Sequence, residues 1–484
     1  MMSHGWYSVA GMKRRTSIST ALLLAFGFAS CGELPNAREA WVCNALAEDN
    51  ELMLGRDAER VEAKLQAMTE DPYLWFRGTA GLFYREVVWP SNGWSFAGGS
   101  EAAASDVQLV GDAHIENIGT YLDEAGSLRA EYNDFDAAGF GAFWLEVWRL
   151  ATSFVMLDRA GLDAADPATG RAWAGWVAEG YIDAVLAADA ASPLPTVVDN
   201  GRGGAILGAL FAKAERKGAE RDELADETIV SGDTRKFRFA AYPERQPKGS
   251  DLLLVPTDDE LALAERLYAD LSASDPTRTG ALLGVARRQG AGVASMPNLR
   301  FYLLLDGETT GREDDLILEV KELLDRPLWL DPRHGDDWVA SEQGARVVAA
   351  QLALQGAPLT DGWLGSWRDG QMAFRLRHYT DYQSGLDHAD VQEALQGAAA
   401  LAPNAERLAR IAGQLLALSH LRAPLRTGGS SLPALQRALA GDRQAFVAQV
   451  QEVASEMGRR TYDDFRRFRE EGRASSCVDP WRAR

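Results

Sequence analysis

Apolar residues recur at helical spacing between 144 and 186, interrupted at Gly161 and Pro167, which predicts at least two helices with buried faces. The same periodicity predicts a helix within 56–88 followed by the aromatic segment Tyr73-Leu74-Trp75-Phe76-Arg77-Gly78, another over 261–271, and mostly helix after Ser341. Apolar runs too short for helices predict strands at 107–110, 130–136, 299–305, 316–320 and 372–376, with a hairpin near 236–242. Trp75 and Phe76 read as core rather than as a stacking platform. Helical texture gives way near residue 281 to glycine-rich and strand-forming sequence, and returns near 386. An α+β fold is expected, in which 56–280 and 386–484 build a larger, mostly helical part and 281–385 a smaller β-rich part.

Length agrees with two parts, because 484 residues exceed the roughly 250–300 that one hydrophobic core serves. With 46% hydrophobic and 25% charged residues the chain is globular rather than disordered or fibrous. Its 70 acidic against 50 basic residues give a formal charge of -20, and with a pI near 4.8 it repels a phosphate backbone, so no nucleic-acid partner is expected. Three cysteines exclude a disulfide scaffold and a Cys-rich zinc module.

The first 30 residues differ from the rest. They hold no acidic group, and their only basic residues, Lys13, Arg14 and Arg15, precede an apolar run from Ile18 to Ala29. This is the pattern of a signal peptide, with Met12 as the expected start, and it predicts export. Phe28-Ala29-Ser30-Cys31 resembles a bacterial lipobox, in which cleavage before Cys31 leaves that residue lipidated and residues 31–55 as a tether. Plain secretion after Ala29 is the alternative, because Phe28 stands where Leu is usual. Gly32, in place of the Asp that retains such lipoproteins at the inner membrane, points to the periplasmic side of the outer membrane. Removing residues 1–30 takes the formal charge from -20 to -23, since three positive charges and no negative one are lost. Cys43 and Cys477 then remain near the two ends, where an oxidising compartment lets them pair; as two separate thiols they fit the sequence equally.

Chemistry concentrates in Gly111-Asp112-Ala113-His114-Ile115-Glu116-Asn117 and in Asn133-Asp134-Phe135-Asp136. Each segment follows an apolar strand, so its polar groups project from a strand end. Carboxylates with an Asn amide oxygen make a hard oxygen set suited to Mg²⁺ or Mn²⁺. Taken singly, these are also the residues that cap and turn strands, and His114 fits a hydrogen-bonding organiser of the loop better than a metal ligand.

The spacing of Asp112 to Asn117, with an Asp on the next strand, resembles the catalytic loop and metal-binding segment of the protein-kinase-like and aminoglycoside-phosphotransferase superfamily. The resemblance implies Asp112 as base, Asn117 and Asp134 as Mg²⁺ ligands and Asp136 as a supporting acid at the metal. Phe76-Arg77-Gly78, the Gly111–Asn117 segment, Asn133-Asp134-Phe135-Asp136 and Trp148-Arg149-Leu150 are together similar to the uncharacterised bacterial family called domain of unknown function 2252, from about residue 50 to about 470. Glu146 stands where that family usually has Asp. Downstream, Gly290-Ala291-Gly292-Val293-Ala294-Ser295 and Lys321 resemble a phosphate-cradling loop and a strand lysine, which implies Gly290, Gly292, Ser295 and Lys321 as contacts of ATP or another nucleotide. Arg77 either clamps the acidic loop or reaches a phosphate. Phe374-Arg375-Leu376-Arg377 resembles a strand leading to a hinge, and the helix ending at Leu418-Ser419-His420 resembles the one that precedes a catalytic loop.

The resemblance therefore implies a two-lobed, protein-kinase-like fold in circularly permuted order: catalytic loop, then phosphate loop and lysine, then pre-loop helix. Ala349, in the helix containing Arg346-Val347-Val348 and Gln351, departs from the family's Glu; Glu322 and Glu342 are the nearest substitutes. Three functions follow: an exported Mg²⁺-dependent phosphotransferase, or a nucleotidyl transferase on the same scaffold, with an unknown acceptor; a kinase-like binding protein without turnover; and a metal-dependent phosphoesterase built on Asp112-Ala113-His114. The third normally needs several histidines, and the chain has six.

Overall fold

The computed structural model describes residues 37–88, 94, 96, 106–158, 162, 168–192, 194, 204–245, 251–274, 280–290, 292–293, 295–309, 312–323, 342–356, 362–396, 401–470 and 477. The signal-peptide and lipobox readings, including Cys31, lie outside these residues. Contacts divide the chain into Met1–Trp41 and Val42–Arg484. In the first unit the described residues are helical, and the Arg38 guanidinium lies 4.7 Å from the Trp41 ring centroid.

Residues 37–54, expected as part of a tether, form helices α1 (Ala37–Asp49) and α2 (Glu51–Leu54), with Val42 and Leu46 buried. The single helix expected within 56–88 is three: α3 (Ala58–Met68), α4 (Pro72–Gly78) and α5 (Ala80–Val88). Asp71-Pro72 restarts the helix, because the Asp71 carboxylate accepts the Tyr73 N–H at 2.7 Å and proline needs no partner at the first position. The aromatic segment is thus helical, and Trp75 and Phe76 are fully buried.

Strands β1 (Asp106–Leu109) and β4 (Gly139–Ala142) pair antiparallel, and β2 (Ile118–Leu122) and β3 (Leu128–Tyr132) form a hairpin between them. The predicted strand at 130–136 ends at Tyr132, which leaves Asn133 to Asp136 in a loop. Two long helices follow, α6 (Phe143–Leu157) and α7 (Ala168–Ala187), then α8 (Gly204–Glu220), α9 (Asp222–Glu227) and the hairpin β5 (Thr228–Ser231)/β6 (Thr234–Phe237). That hairpin lies earlier than predicted, because Gly232 at φ 65° supplies a left-handed turn position that favours glycine.

The β-rich part is a six-stranded antiparallel sheet. Its strands are β7 (Leu252–Leu254), β8 (Leu282–Gln289), β9 (Arg300–Leu305), β10 (Leu316–Glu322), β11 (Gly365–Asp369) and β12 (Met372–His378), in the order β11-β12-β10-β9-β8-β7. The sheet begins before the expected boundary at 281, and α10 (Asp258–Ser274) packs Leu263 and Leu267 on its outer apolar face with Val285, Phe301, Leu303, Leu318, Val320, Phe374 and Leu376. Helix α11 (Gln343–Leu354) lies between β10 and β11 in the chain.

After β12, residues 379–387 bond back to β2: Thr120 N–H donates to Ser384 O at 2.7 Å and Leu386 N–H to Ile118 O at 3.0 Å. Then come α12 (His388–Gln396), α13 (Leu401–Arg422), α14 (Leu432–Leu439) and α15 (Arg443–Glu470). Helices α7 and α13 touch backbone to backbone at two glycines. A Cβ at Gly180 would sit 2.1 Å from Arg410 O, and one at Gly413 would sit 2.1 Å from Val177 O. Beyond α13 the chain returns to β1, with Leu425 bridging Val107 and Arg426 N–H donating to Asp106 O at 3.0 Å. Among the described residues no helix is long and apolar enough to cross a membrane.

Cys43 and Cys477 are joined by a disulfide with Cα atoms 5.1 Å apart, and Cys477 is buried. It closes a loop of 434 residues and so removes much freedom from the unfolded chain. Replacing both cysteines by Ser is expected to cost about 2–4 kcal/mol in urea unfolding, with dithiothreitol lowering wild type to the same midpoint. An unchanged midpoint in both would contradict the pairing.

Candidate functional site

Strand β1 ends at Leu109, and Gly111 turns the chain at φ 110°, a conformation any side chain strains and one where a Cβ would lie 2.2 Å from the Ala137 carbonyl carbon. The turn is held from α6: the fully buried Glu146 carboxylate accepts the Val110 N–H at 2.9 Å and the Gly111 N–H at 2.6 Å. It also accepts His420 Nε2 at 2.8 Å from the end of α13, and His420 Nδ1 meets the Tyr181 hydroxyl of α7 at 2.8 Å. A carboxylate only accepts, so Nε2 carries the proton and Nδ1 accepts from tyrosine. Three helices thus converge on the turn that presents Asp112.

The Asp112 carboxylate is paired with the buried Arg149 of α6, Nε to Oδ1 at 2.8 Å. Arg149 Nη2 donates to Phe76 O at 2.8 Å, and its guanidinium lies 3.5 Å from the Phe76 ring centroid. Burial works to raise the Asp112 carboxyl, but Arg149 outweighs it and holds the group below the ordinary carboxylate range. His114 Nε2 is 3.7 Å from Asp112 Oδ2, and Nδ1 is buried without a hydrogen-bond partner.

Burial pushes the His114 imidazole down to about 4, against the opposing pull of Asp112. The unfolded chain titrates this group near 6.5. Between those values the unfolded state binds more protons, so stability falls as pH drops from about 6.5 to 4, by up to about 3 kcal/mol. Replacing His114 by Asn is expected to flatten this limb in urea midpoints measured between pH 7.5 and 4. Persistence of the full slope in the variant would refute the assignment. Glu116 is distinguishable: burial opposes its ionisation, but His388 and Arg77 hold it at about 2, so its contribution is lost only below the unfolded value near 4.

Asn117 donates Nδ2 to Asp112 O at 2.7 Å, which leaves its amide oxygen as an acceptor. Asn133 N–H donates to Asn117 O at 3.0 Å, so the β2–β3 hairpin brings both acidic segments together. Asp136 N–H donates to Asp134 Oδ1 at 3.2 Å. Burial opposes ionisation of Asp134, but Lys321 first and Arg375 next overcome it and hold its carboxyl at about 2. Lys321 Nζ donates to Asp136 Oδ2, and both side chains are buried. Asp136 Oδ1 is buried without a hydrogen-bond partner. It is ion-paired with Arg375 Nη1 at 3.4 Å. An ionised Asp134, this carboxylate oxygen and the Asn117 amide oxygen are of the kind that suits a hard divalent cation.

Lys321 on β10 stands opposite Arg300 on β9 and Arg375 on β12. Gly290 and Gly292, at φ 84° and 79°, turn the chain between β8 and β9, and Ser295 Oγ accepts from Arg300 Nη2 at 3.1 Å, so this loop lies at the Lys321 end of the sheet. Among the described residues, the acid paired with Lys321 is Asp136, and neither Glu322 nor Glu342 takes the place of the Glu absent at Ala349. Glu322 is turned away to Arg56 and the Leu299 N–H, at 2.6 and 3.0 Å, and Glu342 stands at the first position before α11 without a side-chain capping bond. What α11 sends to the site is Arg346, whose guanidinium donates to Ala138 O and, at 2.5 Å, to Asp136 O.

Arg77 reaches Glu116, whose carboxylate also meets His388 Nδ1 at 2.6 Å, so it clamps the loop. The group Glu116, Asp387 and His388 is close enough to share an ion, yet Arg77 already neutralises it. Of the six histidines, His4 and His334 lie outside the described residues, His388 sits at Glu116 and His420 at Glu146. Glu146, Arg149, His420, Arg346 and the strand arginines 300, 375 and 377 were missed as site residues by pattern reading. The sequence carries a trace of them in the motifs that contain Glu146, Arg149, Arg346 and His420, and in the alternation Phe374-Arg375-Leu376-Arg377, which puts two arginines on one face of a strand.

Comparison with curated proteins and with solved structures found no match. A family model described as "Uncharacterized protein conserved in bacteria (DUF2252)" matches residues 56–471, most of the chain, and the chain belongs to that family.

Proposed function

We propose that the chain is an exported, Mg²⁺-dependent phosphotransferase with a two-lobed, circularly permuted kinase-like architecture. The observation that carries the reading is the Lys321–Asp136 ion pair, which joins two motifs 185 residues apart in one buried charged site. Further support comes from strand order: a glycine turn between β8 and β9, a lysine on β10, then α11, match the order of a kinase nucleotide lobe. The return of the chain from α13 to β1 supports the permutation, because it sets the helix that resembles a pre-loop helix beside the strand entering Asp112. The Cys43–Cys477 disulfide supports an oxidising compartment and hence export.

On this reading Asn117, Asp134 and Asp136 hold Mg²⁺ or Mn²⁺. Such a cation neutralises phosphate oxygens and orients them. Lys321 pairs with a phosphate oxygen on the donor, ATP or another phosphate ester. Asp112, fixed by Arg149, aligns the acceptor hydroxyl and takes its proton as that oxygen bonds to phosphorus. The bridging oxygen leaves with its bonding pair on the shortened phosphate chain.

At a hundredfold excess over Kd, Mg²⁺ with ATP is expected to stabilise the protein by about 2.7 kcal/mol. Lys321→Ala is expected to lose at least tenfold in affinity, read by thermal shift and calorimetry against its own ligand-free baseline. No response to any nucleotide with either cation would sink the reading. The pairing of Asp112 with Arg149 and the lack of a Glu at Ala349 favour a second reading, binding without turnover. Phosphorus NMR of the bound donor separates the two.

A further inference from the structure

We infer that the site recognises the phosphate chain of its ligand and not a nucleobase, so that a base-free oligophosphate such as tripolyphosphate is the donor class; this rests on the phosphate-site reading above. Side chains alternate along a strand, so one face of the sheet carries successive rows. The row at Lys321 holds Arg300 and Arg375, and the next holds Glu319 with Tyr302 and Arg377 opposite it. Glu319 is shared by three of these cations, at 3.3 Å to Arg300, 3.6 Å to Arg375 and 2.6 Å to Arg377. Three arginines therefore surround one carboxylate, beside the Lys321–Asp136 pair.

Arg375 is 3% exposed, and its Nε and Nη1 have no hydrogen-bond partner. Nη1 forms an ion pair with Asp136 Oδ1 at 3.4 Å, and among the described residues neither atom makes a hydrogen bond. A buried guanidinium with unfilled donors, paired with a carboxylate but not hydrogen-bonded to it, is a complement to a phosphate oxygen that would accept from those donors.

Farther along this face, the surface on which a base would stack is already covered. Leu224 of α9, Phe237 of β6 and Leu253 pack against Ala286, Tyr302, Leu304 and Ile317. The Tyr302 and Tyr379 ring centroids are 4.8 Å apart, and the Tyr379 hydroxyl donates to Glu223 at 2.8 Å. Among the described residues, charge fills the rows nearest Lys321 and protein fills the apolar remainder of this face, which leaves the phosphate chain as the part that this face of the sheet can grip. A base-free donor also removes the need for ATP outside the cytoplasm.

The test is calorimetry on the purified protein in Mg²⁺ at fixed ionic strength, with tripolyphosphate, ATP, adenosine and sulfate titrated separately. Tripolyphosphate is expected to bind within fivefold of ATP, with no heat from adenosine or sulfate. Arg375→Met is expected to weaken tripolyphosphate and ATP by the same factor, about tenfold. ATP more than fivefold tighter than tripolyphosphate, or any binding of adenosine, overturns the inference and leaves the phosphate site standing. Binding of sulfate as tight as tripolyphosphate overturns it as plain anion attraction. Binding of none overturns both. The wild-type comparison decides even where the variant fails to fold.

Discussion

Glu146→Ala is expected to lower the stability of the protein by about 3–5 kcal/mol in urea unfolding, one of the two largest effects the structure predicts. The carboxylate is fully buried and accepts three hydrogen bonds, from the Val110 and Gly111 N–H groups and from His420 Nε2. Its removal orphans two backbone donors at a glycine held at φ 110° and strands a buried imidazole still bonded to Tyr181. Each loss costs on the order of 1–3 kcal/mol on its own. Gln is expected to cost less, since its amide oxygen keeps one acceptor in place. The folded fraction of Glu146→Ala is also expected to lose ligand binding, because the turn at Gly111 aims Asp112 and Asn117. A loss under 1 kcal/mol would show that α6 does not hold the loop.

Much of this site was legible before any fold was known, and the reason is local. Gly111 to Asn117 and Asn133 to Asp136 each carry their chemistry within a few residues, and a hairpin of predictable kind joins them. Lys321 was legible as a strand lysine preceded by glycines. Its partner was not, because the ion pair to Asp136 spans 185 residues and depends on how the sheet meets the β2–β3 hairpin. Glu146 and His420 look like ordinary members of amphipathic helices, and their roles arise only where α6, α7 and α13 converge. The tether expected over 31–55 fails from Ala37 onward for a simpler reason: Val42 and Leu46 repeat at helical spacing and find a core. The β-rich part was placed too late because β7 is only three residues long, below what an apolar run reveals.

Asp134→Asn is expected to reduce Mg²⁺-dependent phosphate binding by about a thousandfold, near 4 kcal/mol. Asp134 is held ionised at about 2 although burial opposes this, chiefly by Lys321 and then by Arg375. Lys321 and Arg375 therefore favour the charged carboxylate over a neutral side chain, the state that a cation ligand would need. Asn removes that charge with little change in shape and leaves Lys321 paired with Asp136. Stability is expected to change far less than binding, which separates a ligand role from a structural one. The stability that Asp134 contributes is present above its unfolded value near 4 and is lost as pH falls toward 2.

The central claim is that Asn117, Asp134, Asp136 and Lys321 form one site for a divalent cation and a phosphate chain together. Its most direct measurement is linkage by calorimetry: Mn²⁺ titrated into the protein with and without tripolyphosphate, in wild type and in Asp134→Asn. The predicted result is one cation and one phosphate chain per protein, each raising the other's affinity at least tenfold, with the linkage gone in the variant. Independent binding of the two in wild type, or linkage that survives Asp134→Asn, would contradict the account.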